Sequence, residues 1–275
     1  ILSRVEIPRI KENQVIYGRL EIQFAGNDKD FKTPPSHLCI VLDKSTSMKG
    51  QRLDGVKQNL RQLITEIRNV DLVSVVTFND KAEIVIAPTS SSDRNALIKK
   101  IDGIEPAGGT EIYRGLKAGF DLLWQGNSEG YSLNLLLLTD GHTYGDEERC
   151  IELAKTAAEK NVRISALGFG NDWNDNFLDK VTGITGGCAE YVRNLFDLPK
   201  LILGTIETMK TTIAHSMNLE IEKGTLGTIK FCFKLDPETM QLPIENTLQL
   251  GSLLKEKKST FIFAFELPRL EPSIT

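Results

Sequence analysis

The chain has 275 residues, with 33 Lys and Arg against 37 Asp and Glu, a formal net charge of −4, and 40 % apolar and 25 % charged residues. That balance excludes the basic field a nucleic-acid binder needs, and the ordinary composition excludes a disordered, collagenous or coiled-coil chain. At about 150 residues per domain the length suits two domains or one large one, with a core that needs no staples.

Residues 14–24 alternate apolar and polar, as a half-buried strand does. A polar stretch, 26–36, ends in Pro34-Pro35 and reads as a linker. Leu38 to Leu42 is a short continuous apolar run, the mark of a strand buried on both faces. Leu53, Val56, Leu60, Leu63, Ile64 and Ile67 then recur at helix spacing over about 54–69. Strands follow near 71–78 and 82–88, with a connection too short for a parallel crossover, so that pair is expected to be antiparallel. Ser91-Ser92-Asp93 reads as an N-cap for a helix carrying Leu97, Ile98 and Ile101, and another helix spans about 111–125.

Leu133 to Thr139, around the apolar run Leu135 to Leu138, reads as a second buried strand. The segment 146–160 reads as an amphipathic helix opened by three acids, which suit the positive end of its dipole. A strand at Val162 to Phe169, a short helix near 174–182 and a strand near 189–192 follow, and a long helix is expected over 196–215 with His215 at its end. Six alternations of strand and helix over 37–216 imply a doubly wound α/β fold with a mostly parallel sheet. Strand-like runs return at Met217 to Ile221, Thr228 to Leu235, Thr247 to Leu250 and Thr260 to Leu267. The flanks, 1–36 plus 217–275, are expected to pair into one small antiparallel β-sandwich that the α/β unit interrupts.

The four cysteines, Cys39, Cys150, Cys188 and Cys232, form no C-x-x-C pair and no dense framework. This usage fits a reducing compartment. No apolar run approaches the roughly 20 residues of a membrane span. The N-terminal Ile-Leu-Ser-Arg has no signal-peptide layout and no starting Met, so the chain reads as trimmed. A cytoplasmic protein is expected, or an exported or surface-attached one if a signal or anchor has been removed.

The first buried strand ends in Asp43-Lys44-Ser45-Thr46-Ser47-Met48. Ligands of open α/β sheets bind outside the carboxyl ends of the strands. A carboxylate and two hydroxyls at i, i+2 and i+4 of such a turn can converge on one point. They are hard oxygen donors suited to Mg²⁺, Mn²⁺ or Ca²⁺, and the same residue types also serve as ordinary N-caps. The loop Pro106-Ala107-Gly108-Gly109-Thr110 offers a third hydroxyl, and Leu138-Thr139-Asp140-Gly141 places an acid at the same edge.

Asp-x-Ser-x-Ser, then Gly-Gly-Thr, then Thr-Asp-Gly, in this order and on these elements, resemble the metal-ion-dependent adhesion site (MIDAS) of the von Willebrand factor type A (vWA) domain family. The resemblance covers about 37–216 and implies a strand order of 3-2-1-4-5-6. It implies hydroxyls from Ser45, Ser47 and Thr110 and carboxylates from Asp43 and Asp140 on one divalent cation, Mg²⁺ first, with Mn²⁺ or Ca²⁺ as alternatives and some contacts through water. A protein partner offering a carboxylate would complete the shell, which makes the chain a protein–protein interaction module and not an enzyme. The flanking β segments, including Leu248 to Gly251, resemble the extension of bacterial and inter-α-trypsin-inhibitor-type members.

His142 and Tyr144 follow Asp140, and Asp172 and Trp173 follow the next strand, so these four are candidate partner contacts. For Trp173, packing against its own loop is an equal alternative. Enzyme readings are poorly supplied. There is no Walker A sequence, no H-E-x-x-H, and Gly168-Phe169-Gly170 does not continue as G-x-G-x-x-G. A Mg²⁺-dependent phosphoryl-transfer or hydrolytic enzyme would want a second acid where Ser45 stands. A scaffold with a vestigial metal site is the remaining alternative.

Overall fold

A computed structural model of the chain describes residues 14–25, 34–90, 93–125, 130–140, 145–169, 175–192, 194–220, 228–236, 239–242, 244, 247–255 and 257–267. Strand β1 (Gln14–Ile22) is followed by an α/β unit: β2 (Ser36–Asp43), α1 (Gln51–Glu66), β3 (Leu72–Phe78), β4 (Ala82–Ser90), α2 (Arg94–Asp102), α3 (Ile112–Gln125), β5 (Ser132–Thr139), α4 (Glu147–Glu159), β6 (Val162–Phe169), α5 (Asp175–Ile184), β7 (Ala189–Val192) and α6 (Leu198–Thr211). Then come β8 (Thr212–Glu220), β9 (Thr228–Asp236), β10 (Met240–Leu242), β11 (Thr247–Leu254) and β12 (Ser259–Leu267).

The six strands of the α/β unit form one sheet in the order β4-β3-β2-β5-β6-β7. Counted from β2, this is the expected 3-2-1-4-5-6. All neighbours are parallel except β3 and β4, which pair antiparallel, as the short Asn79–Lys81 connection requires. All eight residues of β2 are buried because the sheet is covered on both faces. Leu38, Ile40 and Leu42 point into a core shared with α1, α2 and α6. Cys39 and Val41 point into a second core with α3, α4 and α5. The period of two along a single strand therefore feeds two separate cores.

Helix α3 sits unusually low on the sheet. A Cβ on Gly115 would lie 2.5 Å from Phe78 Cδ1 and 2.9 Å from Val41 Cγ1. One on Gly119 would lie 2.6 Å from Val41 Cγ2. These glycines let the helix approach β2 and β3, and the loop before the helix is thereby drawn to the end of β2.

Strands from both sides of the α/β unit share a four-stranded antiparallel sheet, β1-β12-β9-β10, while β8 and β11 pair separately. Leu20, Ile22, Cys232, Phe261 and Phe263 of the first sheet and Met217, Leu219, Leu248 and Leu250 of the second belong to one apolar cluster. The α/β unit meets this body backbone to backbone, since a Cβ on Gly186 would lie 2.6 Å from Gly251 Cα.

One expected element is corrected. The helix period over 196–215 continues through Ile213, but α6 stops at Thr211 and residues 212–220 are strand β8. His215 therefore lies within a strand and does not cap a helix. Thr212 and Ala214 pair with Leu254 and Leu253 of β11, so sheet pairing overrides the period. His37 is the second residue of β2. Its Nε2 lies 3.0 Å from Ser74 Oγ, and burial pushes its pKa down to about 4. Among the described residues no helix is long and apolar enough to cross a membrane.

The close approach of α3 predicts that Gly115→Ala destabilises the protein. Overpacking of this severity costs about 3 kcal/mol against roughly 1 kcal/mol gained by Ala in a helix. Urea denaturation should show a net loss of about 2 kcal/mol, and a variant as stable as the wild type would contradict this packing.

Candidate metal centre

Parallel pairing of β2 with β5 sets Leu42 opposite Leu138, so the next residues, Asp43 and Thr139, emerge side by side at the carboxyl edge. Thr139 Oγ1 donates a 2.6 Å hydrogen bond to Asp43 Oδ2. This is also the point where the chain connections diverge, β2 leading by α1 to β3 on one side while β5 lies on the other.

After Asp43 the chain turns back on itself. Ser45 N–H donates to Asp43 Oδ1 at 2.8 Å, and a single 3-10 turn, Thr46–Met48, delivers Ser47 over the sheet edge. Ser45 Oγ lies 2.9 Å from Ser47 Oγ, and Ser47 Oγ donates at 2.7 Å to Asp140 Oδ1. Four of the five expected residues are thus joined by hydrogen bonds, Ser45, Ser47 and Asp140 oxygen to oxygen and Asp43 through the Ser45 backbone N–H. Asp43 is fully buried, Ser45 is 2 % and Asp140 8 % exposed, while Ser47 faces solvent. The cluster is closed from below and open above.

Thr110, buried at 9 %, reaches the same edge by a different route. Thr46 N–H and Thr46 Oγ1 both donate to Gly108 O, at 3.1 and 3.0 Å, and Ala107 N–H donates to Lys44 O at 2.7 Å. The Gly108-Gly109 turn is also held from β3–β4: Asn79 Nδ2 donates to Ala107 O at 2.8 Å and Gly109 N–H donates to Asp80 Oδ2 at 3.1 Å. Gly108 has φ +77°, and a Cβ there would lie 2.5 Å from Asp80 Oδ2, so glycine is required twice over.

Three participants were not visible in the motif. Asn79 and Asp80 carry only a turn signal in the sequence. Arg52, in the first turn of α1, pairs through Nη1 with Asp140 Oδ2. Asp146 was expected among three acids opening its own helix, and Glu147 and Glu148 do occupy that first turn. The Asp146 side chain makes no cap hydrogen bond to α4, however. Its Oδ2 accepts from Tyr113 N–H at 2.8 Å and so caps α3, tying the chain that follows Asp140 to the helix that follows Thr110. His142, Tyr144, Asp172 and Trp173 lie outside the described residues.

The electrostatics of the edge disfavour an ionised Asp43. Burial pushes the Asp43 carboxyl up to about 6, against the hydrogen bonds from Thr139 and Ser45, and the neighbouring Asp140 adds to the rise. A fully buried carboxylate with only neutral donors around it is costly to ionise, and a cation at this edge would remove that cost.

The donor set fits a divalent cation. Adjacent ligands of octahedral Mg²⁺, at 2.0–2.1 Å and right angles, lie about 2.9 Å apart. The 2.9 Å Ser45–Ser47 and 2.7 Å Ser47–Asp140 oxygen separations match the edges of such a shell. Among the described residues there is no group of three or more His, Cys, Asp and Glu. A set with two carboxylates and several hydroxyls would not form one.

Comparison with known proteins places this edge in context. The family model for the von Willebrand factor type A domain matches residues 37–203. An uncharacterised protein of Synechocystis is 30 % identical over 263 residues, covering 92 % of this chain and 62 % of that protein. An inter-alpha-trypsin inhibitor heavy chain from Bos taurus is 27 % identical over 223 residues, covering 74 % of this chain and 24 % of its own length. The chain thus spans less than two thirds of these relatives. Among solved structures, von Willebrand factor type A from Catenulispora acidiphila superposes with a TM-score of 0.75 at 17 % identity, over 94 % of this chain and 62 % of that one. Proximal thread matrix protein 1 from the mussel byssus, solved with a zinc-occupied MIDAS, gives 0.55 at 18 % identity, over 68 % and 47 %. With the match spanning the whole α/β sheet and every residue of the edge described above, the chain belongs to the von Willebrand factor type A domain family.

Proposed function

We propose that this chain is a non-catalytic protein-binding module whose contact surface is organised by one divalent cation at the edge of β2 and β5. The observation that carries this reading is the run of side-chain oxygens from Ser45 through Ser47 to Asp140, spaced at 2.9 and 2.7 Å and exposed at Ser47, with Asp43 held beside it by the Ser45 backbone N–H. Domains of this family commonly mediate protein–protein interactions. Mg²⁺ suits the donors best, with Mn²⁺ and Ca²⁺ sharing the preference for oxygen.

In this reading Asp43 and Asp140 supply the negative charge, and Ser45, Ser47 and Thr110 supply neutral oxygens. The bound ion would offer positive charge and an open position to a carboxylate of the partner. The surrounding loops decide which carboxylate is admitted. His142, Tyr144, Asp172 and Trp173 are the proposed partner contacts there, joined by Asp80 and Lys44 at the described rim.

Two outcomes test this. Mg²⁺ at 100 times its dissociation constant should stabilise the wild type by about 2.7 kcal/mol, read as a rise in the thermal unfolding midpoint. Asp43→Ala should fold yet show no rise, and an equal rise in both proteins would contradict the site. The second outcome is a pH dependence. The raised Asp43 pKa means that the folded metal-free protein holds a proton there up to about pH 6, whereas the unfolded chain releases it near the ordinary carboxylate value. This group's contribution to metal-free stability is therefore complete at low pH and lost as pH rises through 6. Metal competes with that proton. The Mg²⁺ shift should be full above pH 7 and fade as pH falls through 6, as differential scanning fluorimetry can follow. A shift undiminished at pH 5 would contradict the assignment.

A further inference from the structure

Arg52 stands where helix energetics disfavour it. It is the second residue of α1, and the N-terminal turn of a helix carries the positive end of the dipole, which suits anions. Its compensation is local. Nη1 pairs with Asp140 Oδ2 and lies 3.4 Å from Ser47 O, so the guanidinium is placed by the same turn that presents the hydroxyls. The Arg52 side chain is 42 % exposed, and that of Asp140 is fully buried.

We propose that Arg52 is a built-in counter-ion for Asp140, which a divalent cation must outcompete and whose charge then recruits the acidic partner. The inference rests on the metal-binding reading above and deepens it. Asp140 divides its oxygens: Oδ1 accepts from Ser47, Oδ2 from Arg52. Ser47 can keep its proton on Asp140 and still present a lone pair to a metal. Arg52 cannot share in this way, because its positive charge repels a dication placed against the same carboxylate.

The charge count makes the consequence plain. Two ionised carboxylates and one guanidinium leave the metal-free edge with one negative charge. Adding a divalent ion leaves it with one positive charge. The sign of the edge therefore reverses on loading, and only the loaded edge attracts an anionic ligand. Without Arg52 the loaded edge would be neutral. Arg52 thus weakens metal binding in exchange for a positive loaded state, and it shields buried Asp140 when no metal is present.

Calorimetric titration with Mn²⁺, paired with the thermal midpoint of the metal-free protein, tests this in the wild type, Arg52→Gln and Arg52→Lys. Arg52→Gln should bind Mn²⁺ at least tenfold more tightly while its metal-free midpoint falls. Arg52→Lys should stay close to wild type on both. Raising the salt concentration should narrow the gap in affinity, since the partly exposed guanidinium is screened. In an Asp140→Asn background, Arg52→Gln should leave the metal-free midpoint unchanged. A residue that merely braces the turn would move both readouts in the unfavourable direction. Binding by Arg52→Gln that is equal to or weaker than wild type overturns the counter-ion role alone. Absence of Mn²⁺ binding in both proteins overturns the metal reading as well.

Discussion

Two carboxylates are buried side by side at one edge of a parallel sheet, and most of the surrounding structure follows from that arrangement. Neighbouring negative charges under low dielectric repel, and each would rather be protonated or paired. Asp43 is met by a hydroxyl and a backbone amide, Asp140 by a hydroxyl and a guanidinium. The 3-10 turn, the Gly108-Gly109 loop and the Asp146 cap on α3 all serve to bring hydroxyls and donors to this edge. The 3-10 turn also closes the core beneath, since its Met48 is fully buried among the residues of the first core.

The scaffold explains why such an edge is stable enough to keep. Every residue of β2 is buried and its alternate side chains anchor cores on opposite faces. The strand cannot slip by one residue without exchanging those faces. Asp43 therefore has a fixed address, and the parallel register of β5 gives Thr139 and Asp140 theirs. Glycines at 115 and 119 complete the construction by lowering α3 onto the sheet, which carries Thr110 to the edge.

Much of this was legible in the sequence, for identifiable reasons. Continuous apolar runs at Leu38–Leu42 and Leu135–Leu138, short and followed by turn residues, read as strands buried on both faces, and the short connection at Asn79–Lys81 forced an antiparallel pair. Hydroxyl and acid spacing after the first strand marked the edge itself. Other features were not legible. The first part of strand β8, Thr212 to His215, was hidden inside a helical period that its pairing with β11 overrides, while its end from Met217 read as strand. The three-residue strand β10 carries too little pattern to be seen. Arg52 looks like any polar residue on a helix surface, and Asp146 like any N-terminal acid; both act across the fold, on partners 88 and 33 residues away. Thr139 could have been found, since parallel pairing with β2 places it opposite Asp43.

The flanking strands meet the α/β unit near Gly186 and Gly251, at the α5–β7 turn, and again where Asn176 and Asp179 of α5 line a cavity with Gln241 and Leu242 of β10. The central claim is that Asp43, Ser45, Ser47, Thr110 and Asp140 enclose one divalent cation. Anomalous diffraction from crystals soaked in Mn²⁺ addresses it directly. The account predicts a single strong peak within bonding distance of Ser45 Oγ and Ser47 Oγ, accompanied by displacement of the Arg52 guanidinium from Asp140. A peak elsewhere, or none at this edge, would contradict it.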